Sequence, residues 1–114
     1  RQIFVGIEDD MAVAMIQIIL KRADNDPDLA DGRDVAHAHN LWVRYDLQGK
    51  GIGKQMMAFI EDTARQLGKK VLTLGVDNIN ERAVELYDKL GYKVFKTEPG
   101  RTPEETGLYM KKIL

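Results

Sequence analysis

Gly49, Gly51 and Gly53 occupy alternate positions in the stretch Gln48-Gly49-Lys50-Gly51-Ile52-Gly53-Lys54, just ahead of a helical apolar period. Glycines let the backbone turn tightly and let a ligand come close to its amides. The first N–H groups of a helix have no intrahelical acceptor, and that end carries roughly half a positive charge. Such a site suits a phosphate or diphosphate, with Lys50 and Lys54 adding charge. Two familiar phosphate motifs do not fit. In a P-loop, four residues separate the first glycine from a Gly-Lys pair that precedes Ser or Thr. Gly49 and Gly53-Lys54 stand one residue too close for this, and Gln55 follows. The dinucleotide fingerprint needs glycine where Lys54 stands. On these residues alone, a glycine-rich turn that merely starts a helix is the plainer alternative.

His37 and His39 are the only histidines. They alternate within an extended run, 35–43. Strict alternation puts Val35, His37, His39, Leu41 and Val43 on one face and Ala36, Ala38, Asn40 and Trp42 on the other. Trp42 is then expected in the core. Two imidazoles on one face can move protons near neutral pH. A pair of partly buried structural histidines is the competing reading, and no third ligand is evident, so no metal is expected. The acidic stretch with Asp24, Asp26, Asp28, Asp31 and Asp34 has Leu29 and Val35 where a calcium loop starting at Asp24 needs Gly and Glu. It reads as a solvated loop, with attraction of a cationic amine as the alternative.

The elements that position these residues follow from periodicity and caps. Residues 3–7 and 12–20 read as two strands of a hairpin, with a turn at 8–11. Residues 21–34 read as a loop and 35–43 as the histidine strand. Ile52, Met56, Phe59, Ile60, Thr63, Ala64 and Leu67 form a helical stripe closed by Gly68. A strand at 70–76 follows, then a helix capped by Asn78 or Asn80, with Ala83, Leu86, Tyr87 and Leu90 on one stripe and Gly91 at its end. Strands at 92–97 and 108–114 close the chain. The order β-β-β-α-β-α-β-β predicts a mixed α/β domain over residues 1–114.

The 114 residues suit one core, and 44% hydrophobic with 31% charged residues suit a soluble globule. A net charge of −1 gives no reason to expect nucleic acid as a partner. No run is apolar and long enough to imply a membrane partner. With no cysteine, disulfides, thiolate catalysis and Cys-ligated zinc are excluded, and a cytoplasmic location is expected. The chain opens on Arg1 in a strand-like run, so an upstream segment is expected. Homodimerisation is left open.

Leu41-Trp42-Val43-Arg44-Tyr45-Asp46-Leu47-Gln48-Gly49-Lys50-Gly51-Ile52-Gly53 resembles the strand-loop-helix segment of the GNAT acetyltransferases. Gln48, Gly51 and Gly53 match the signature Arg/Gln-x-x-Gly-x-Gly/Ala. Asn80, Ala83, Leu86-Tyr87 and Gly91-Tyr92 match the second block, with Tyr92 in place of the usual Phe. The resemblance implies a GNAT-like fold that has one further strand and two helices before the position of Arg1.

It also implies acetyl-CoA as cosubstrate, with no metal. The diphosphate of coenzyme A would lie on the amides of Gln48, Gly49, Lys50, Gly51, Ile52, Gly53 and Lys54. The pantetheine arm would run along Leu41, Trp42 and Val43, with Asn80 and Ala83 touching it from the other side. The acceptor would be a primary amine of a small molecule or peptide, attacking directly through a tetrahedral intermediate stabilised by a backbone N–H of the same strand. Tyr87 matches the family tyrosine near the sulfur and would be the general acid, where a helical tyrosine alone would be read as packing. The histidine strand looks like that of serotonin N-acetyltransferase, which implies that His37 and His39 relay the amine proton. Many relatives instead carry a glutamate on this strand, and none is present here. A catalytically inactive acyl-CoA-binding module is the alternative function.

Overall fold

The computed structural model describes residues 2–8, 11–20 and 29–114. The turn aspartates 9 and 10, and Asp24, Asp26 and Asp28 of the acidic loop, lie outside the described residues.

The hydrophobic periods become eight elements: β1 (Gln2–Glu8), β2 (Met11–Ile19), β3 (Val35–Val43), α1 (Ile52–Gln66), β4 (Val71–Asp77), α2 (Glu81–Lys89), β5 (Lys93–Pro99) and β6 (Thr106–Ile113). A short 3-10 turn, Tyr45–Leu47, connects β3 to the glycine loop. The strands form one sheet in the order β1-β2-β3-β4-β6-β5, parallel only between β3 and β4. The mixed α/β class and the element order therefore match the expectation from sequence.

Both helices end as their glycines foretell. Gly68 (φ 77°) and Gly91 (φ 98°) take the left-handed conformation. The following amides fold back, Lys69 N–H to Ala64 O at 2.9 Å and Tyr92 N–H to Tyr87 O at 3.0 Å. Ala14, Ile16, Ile18, Ala36, Ala38, Leu72 and Leu74 of the sheet pack under Met56, Met57, Ile60 and Ala64 of α1. The helical stripe sits one position round from the sequence reading. Met57 and Glu61 are buried, whereas Phe59 and Leu67 are largely exposed. Buried Glu61 is paired on both oxygens, accepting from the Tyr92 hydroxyl at 2.8 Å and from Lys112 Nζ at 3.0 Å.

Strict alternation fails within β3. Gln17 pairs with His39 but Met15 pairs with Trp42, so β3 carries one extra residue between them, a β-bulge. The bulge reverses the faces beyond it. Leu41 and Val43 turn to the core with Ala36 and Ala38, against Gly53 of α1, while His37 and His39 face the other way. Trp42, expected in the core, is 46% exposed beside Met15 on the histidine face.

Candidate active site

β3 and β4 pair only over Val35–Ala38 and Val71–Leu74, although the strands continue to Val43 and Asp77. Beyond Ala38 and Leu74 they diverge, and the split opens a cleft of about 790 Å³. Entry to β3 is fixed by Asp31, whose Oδ1 accepts from the amides of Arg33, Asp34 and Val35 at 2.8, 2.9 and 2.9 Å. These bonds, Val35's foremost, hold its carboxyl below the usual range.

The glycine loop forms one end of the cleft. Gly49 (φ 81°) and Gly51 (φ 86°) are left-handed, and a Cβ on Gly51 would meet nothing within 4 Å. Gly53 is ordinary helix, its virtual Cβ 3.5 Å from Leu86 Cδ2. The loop is tied to β3 by Gln48 Nε2, which donates to Val43 O at 3.2 Å. Gly51 caps α1 without a side-chain hydrogen bond, and the first turn holds no acidic residue. Lys54 stands there instead, against the dipole preference. In α2, by contrast, Asn80 Oδ1 accepts from Ala83 N–H at 3.3 Å and Glu81 sits in the first turn. The bare amides of α1 and the open space over Gly51 thus fit an anion. Sequence reasoning missed Arg82. Both of its terminal nitrogens lie 4.0 Å from the virtual Cβ of Gly49, so a second cation faces the loop.

The catalytic candidates line the same cleft. Tyr87 is buried, edge-on to Tyr92 at 6.1 Å, and burial raises its phenol above the usual range. His37 and His39 stand 5.8 Å apart, ring to ring. His37 is 2% exposed, and its Nδ1 lies 2.8 Å from Thr73 Oγ1.

Of the residues singled out in the sequence, His37, His39, Leu41, Val43, Gln48, Gly49, Gly51, Gly53, Lys54, Asn80, Ala83 and Tyr87 line the cleft. Trp42, Lys50 and Ile52 do not line it, and Ile52 packs against the core. The β4, β5 and β6 contribution was missed: Gly75, Asp77, Glu98, Gly107 and Tyr109 also line it. The available signal was glycine inside two strands, which marks close approach. A Cβ on Gly75 would stand 3.1 Å from the Tyr109 ring, and one on Gly107 would stand 3.0 Å from Glu98 Cγ.

The acetyltransferase (GNAT) family profile matches residues 1–92. The chain belongs to this family. It is 34% identical over 61 residues to the L-amino acid N-acyltransferase MnaT of Escherichia coli, covering 54% of this chain and 36% of that protein. The matched stretches span 23–40% of the length of the first three curated relatives. In fold it agrees with the IAA acetyltransferase from Bacillus cereus (TM-score 0.82, 19% identity, 98% of this chain and 77% of that one). It agrees likewise with yncA of Salmonella typhimurium, solved with its cofactor acetyl-CoA (TM-score 0.79, 21% identity, 97% and 63%).

Proposed function

We propose that this GNAT chain carries the cosubstrate site and proton-transfer groups of an acetyl-CoA-dependent N-acetyltransferase acting on a primary amine of a small molecule or peptide. One observation carries the reading. A single cleft joins an uncapped, cation-flanked helix start to a buried tyrosine and a histidine pair. The E. coli relative named as an L-amino acid N-acyltransferase supports an amine nitrogen as acceptor.

Coenzyme A fits the residues present. The amides of Gly51 to Lys54, with Lys54 and Arg82, hold its diphosphate. The β3 backbone past Ala38, which β4 leaves unpaired, receives its amide-bearing arm as an added strand would. When bound, it supplies the acetyl group as an activated thioester. His37 and His39 take the proton of the incoming ammonium, so that its nitrogen can form the new C–N bond. Tyr87, kept neutral by burial, would give its proton to the sulfur as the C–S bond breaks and be restored by the second proton, which the nitrogen loses once the C–N bond has formed. A β3 amide stabilises the negative oxygen.

The second reading, an acyl-CoA-binding module without turnover, draws on the packing of Tyr87 against Tyr92. CoA release by the full-length protein, followed over a panel of amines beside a CoA titration, tests both. Turnover with any amine supports the enzyme. CoA binding without turnover supports the module.

A further inference from the structure

The cleft is electrically divided. Its cationic lining side chains among the described residues are Lys54 and Arg82, both at the glycine-loop end. Registers place the remaining charges on the histidine face. Asp77 and Glu98 both pair with Gly107, one from each side, and Tyr109 pairs with Gly75. Two strand glycines let neighbouring side chains lean inward. Glu98 crosses Gly107, and the Tyr109 ring crosses Gly75 toward His37, 6.4 Å away ring to ring. The Tyr109 hydroxyl donates to Glu98 Oε1 at 2.9 Å, which holds the carboxylate at the cleft. Gln17, opposite His39 in register, is 7% exposed, and its Oε1 has no donor among the described residues. Lys96 and Lys111 of the neighbouring strands stay outside the lining, Lys111 with its ammonium 5.0 Å over the Phe95 ring.

We propose that this end of the cleft selects an acceptor bearing a second ammonium group and no carboxylate beside the reacting nitrogen, with Glu98 and Asp77 receiving the second charge. The proposal rests on the acetyl-transfer reading. A carboxylate on the acceptor would face two like charges, with no lysine or arginine at this end of the lining among the described residues to meet it, an arrangement that disfavours such ligands. An aliphatic polyamine and an amino sugar share the required chemistry.

The test is CoA release by the full-length protein with spermidine, an aminoglycoside and an L-amino acid such as L-methionine. One or both polycations should exceed the amino acid in kcat/KM by more than about tenfold, and whichever is faster identifies the source. Glu98→Gln keeps an acceptor for the Tyr109 hydroxyl. It should raise KM for the polycation about fivefold, as expected for an exposed ion pair. The loss should appear in KM, not in kcat or in CoA affinity, and KM should rise with salt in the unaltered protein. An L-amino acid equal to or better than both polycations, or an unchanged KM in folded Glu98→Gln, overturns the proposal while acetyl transfer stands. CoA binding without turnover of any amine overturns the acetyl-transfer reading, and this proposal with it.

Discussion

His37 Nδ1 lies 2.8 Å from Thr73 Oγ1, and the Thr73 hydroxyl directs its single proton to Leu29 O at 2.7 Å. The oxygen facing His37 must therefore accept. Neutral His37 accordingly carries its proton on Nδ1. Nitrogen NMR of the imidazole should report the Nδ1–H tautomer. Thr73→Val should leave the Leu29 contact and the imidazole N–H unsatisfied, lowering stability by about 1–3 kcal/mol and slowing turnover. Thr73→Ser should restore both. An Nε2–H tautomer in the unaltered protein would refute the assignment.

The two histidines can be separated from mere packing by kinetics. His37→Gln and His39→Gln should each slow acetyl transfer on the order of a hundredfold with CoA affinity retained. The double variant should be little worse than the slower single one, because groups serving one proton path act as a unit. Turnover is to be compared with melting temperature. Full activity in a folded double variant would remove both from the mechanism.

The glycines of the loop should respond differently to one substitution. Gly51→Ala puts a side chain into open space but at φ 86°, so the cost is conformational. About 1–2 kcal/mol of stability should be lost, together with CoA affinity. Gly53→Ala meets only an ordinary contact with Leu86 at 3.5 Å in a helical position. It should leave the protein as stable or up to about 1 kcal/mol more so, with CoA still bound. Thermal melts and CoA titrations of the pair would decide, and equal melting temperatures would contradict the distinction.

Tyr87→Phe removes only the hydroxyl and should lower turnover at unchanged CoA affinity. Loss of affinity with turnover intact would assign the ring to packing alone.

Burial raises both Tyr87 and Tyr92, and Tyr92 is raised further by the Glu61 carboxylate. Below about pH 10 folded and unfolded chains carry both phenolic protons, and this contribution is intact. Above it the unfolded chain releases protons that the folded chain retains, so stability falls as pH rises. Tyr92→Phe should flatten that alkaline decline. It also removes a donor from Glu61, costing about 1–2 kcal/mol at neutral pH. Urea unfolding from neutral to strongly alkaline pH measures both effects.

The element order was legible because its signals are local. Gly68 and Gly91 stop the helices, apolar periods mark them, and the glycines of 48–54 announce a tight turn into α1. What escaped depends on distant pairing. The Trp42 position is set by how β2 registers against β3, and no pattern within 35–43 encodes that. Arg82 meets Gly49 only because α2 folds back across the glycine loop. Glu98 and Tyr109 enter the cleft because β6 lies between β4 and β5, where Gly107 and Gly75 leave room. The burial of Met57 and Glu61 similarly reflects the angle at which α1 lies on the sheet.

The bulge in β3 also constrains how this segment can change in length. Removing a single codon between His39 and Trp42 would restore regular alternation. With Asn40 removed, Trp42 and Val43 would keep Met15 and Ala14 as partners, and Leu41 and Val43 would stay on the side of Gly53 and the core. A second deletion in the same stretch would turn Trp42 toward the core and Val43 away from it, and would shorten the reach to the glycine loop. The strand should thus accept the loss of its one extra residue but not of two between the first histidine and Gln48.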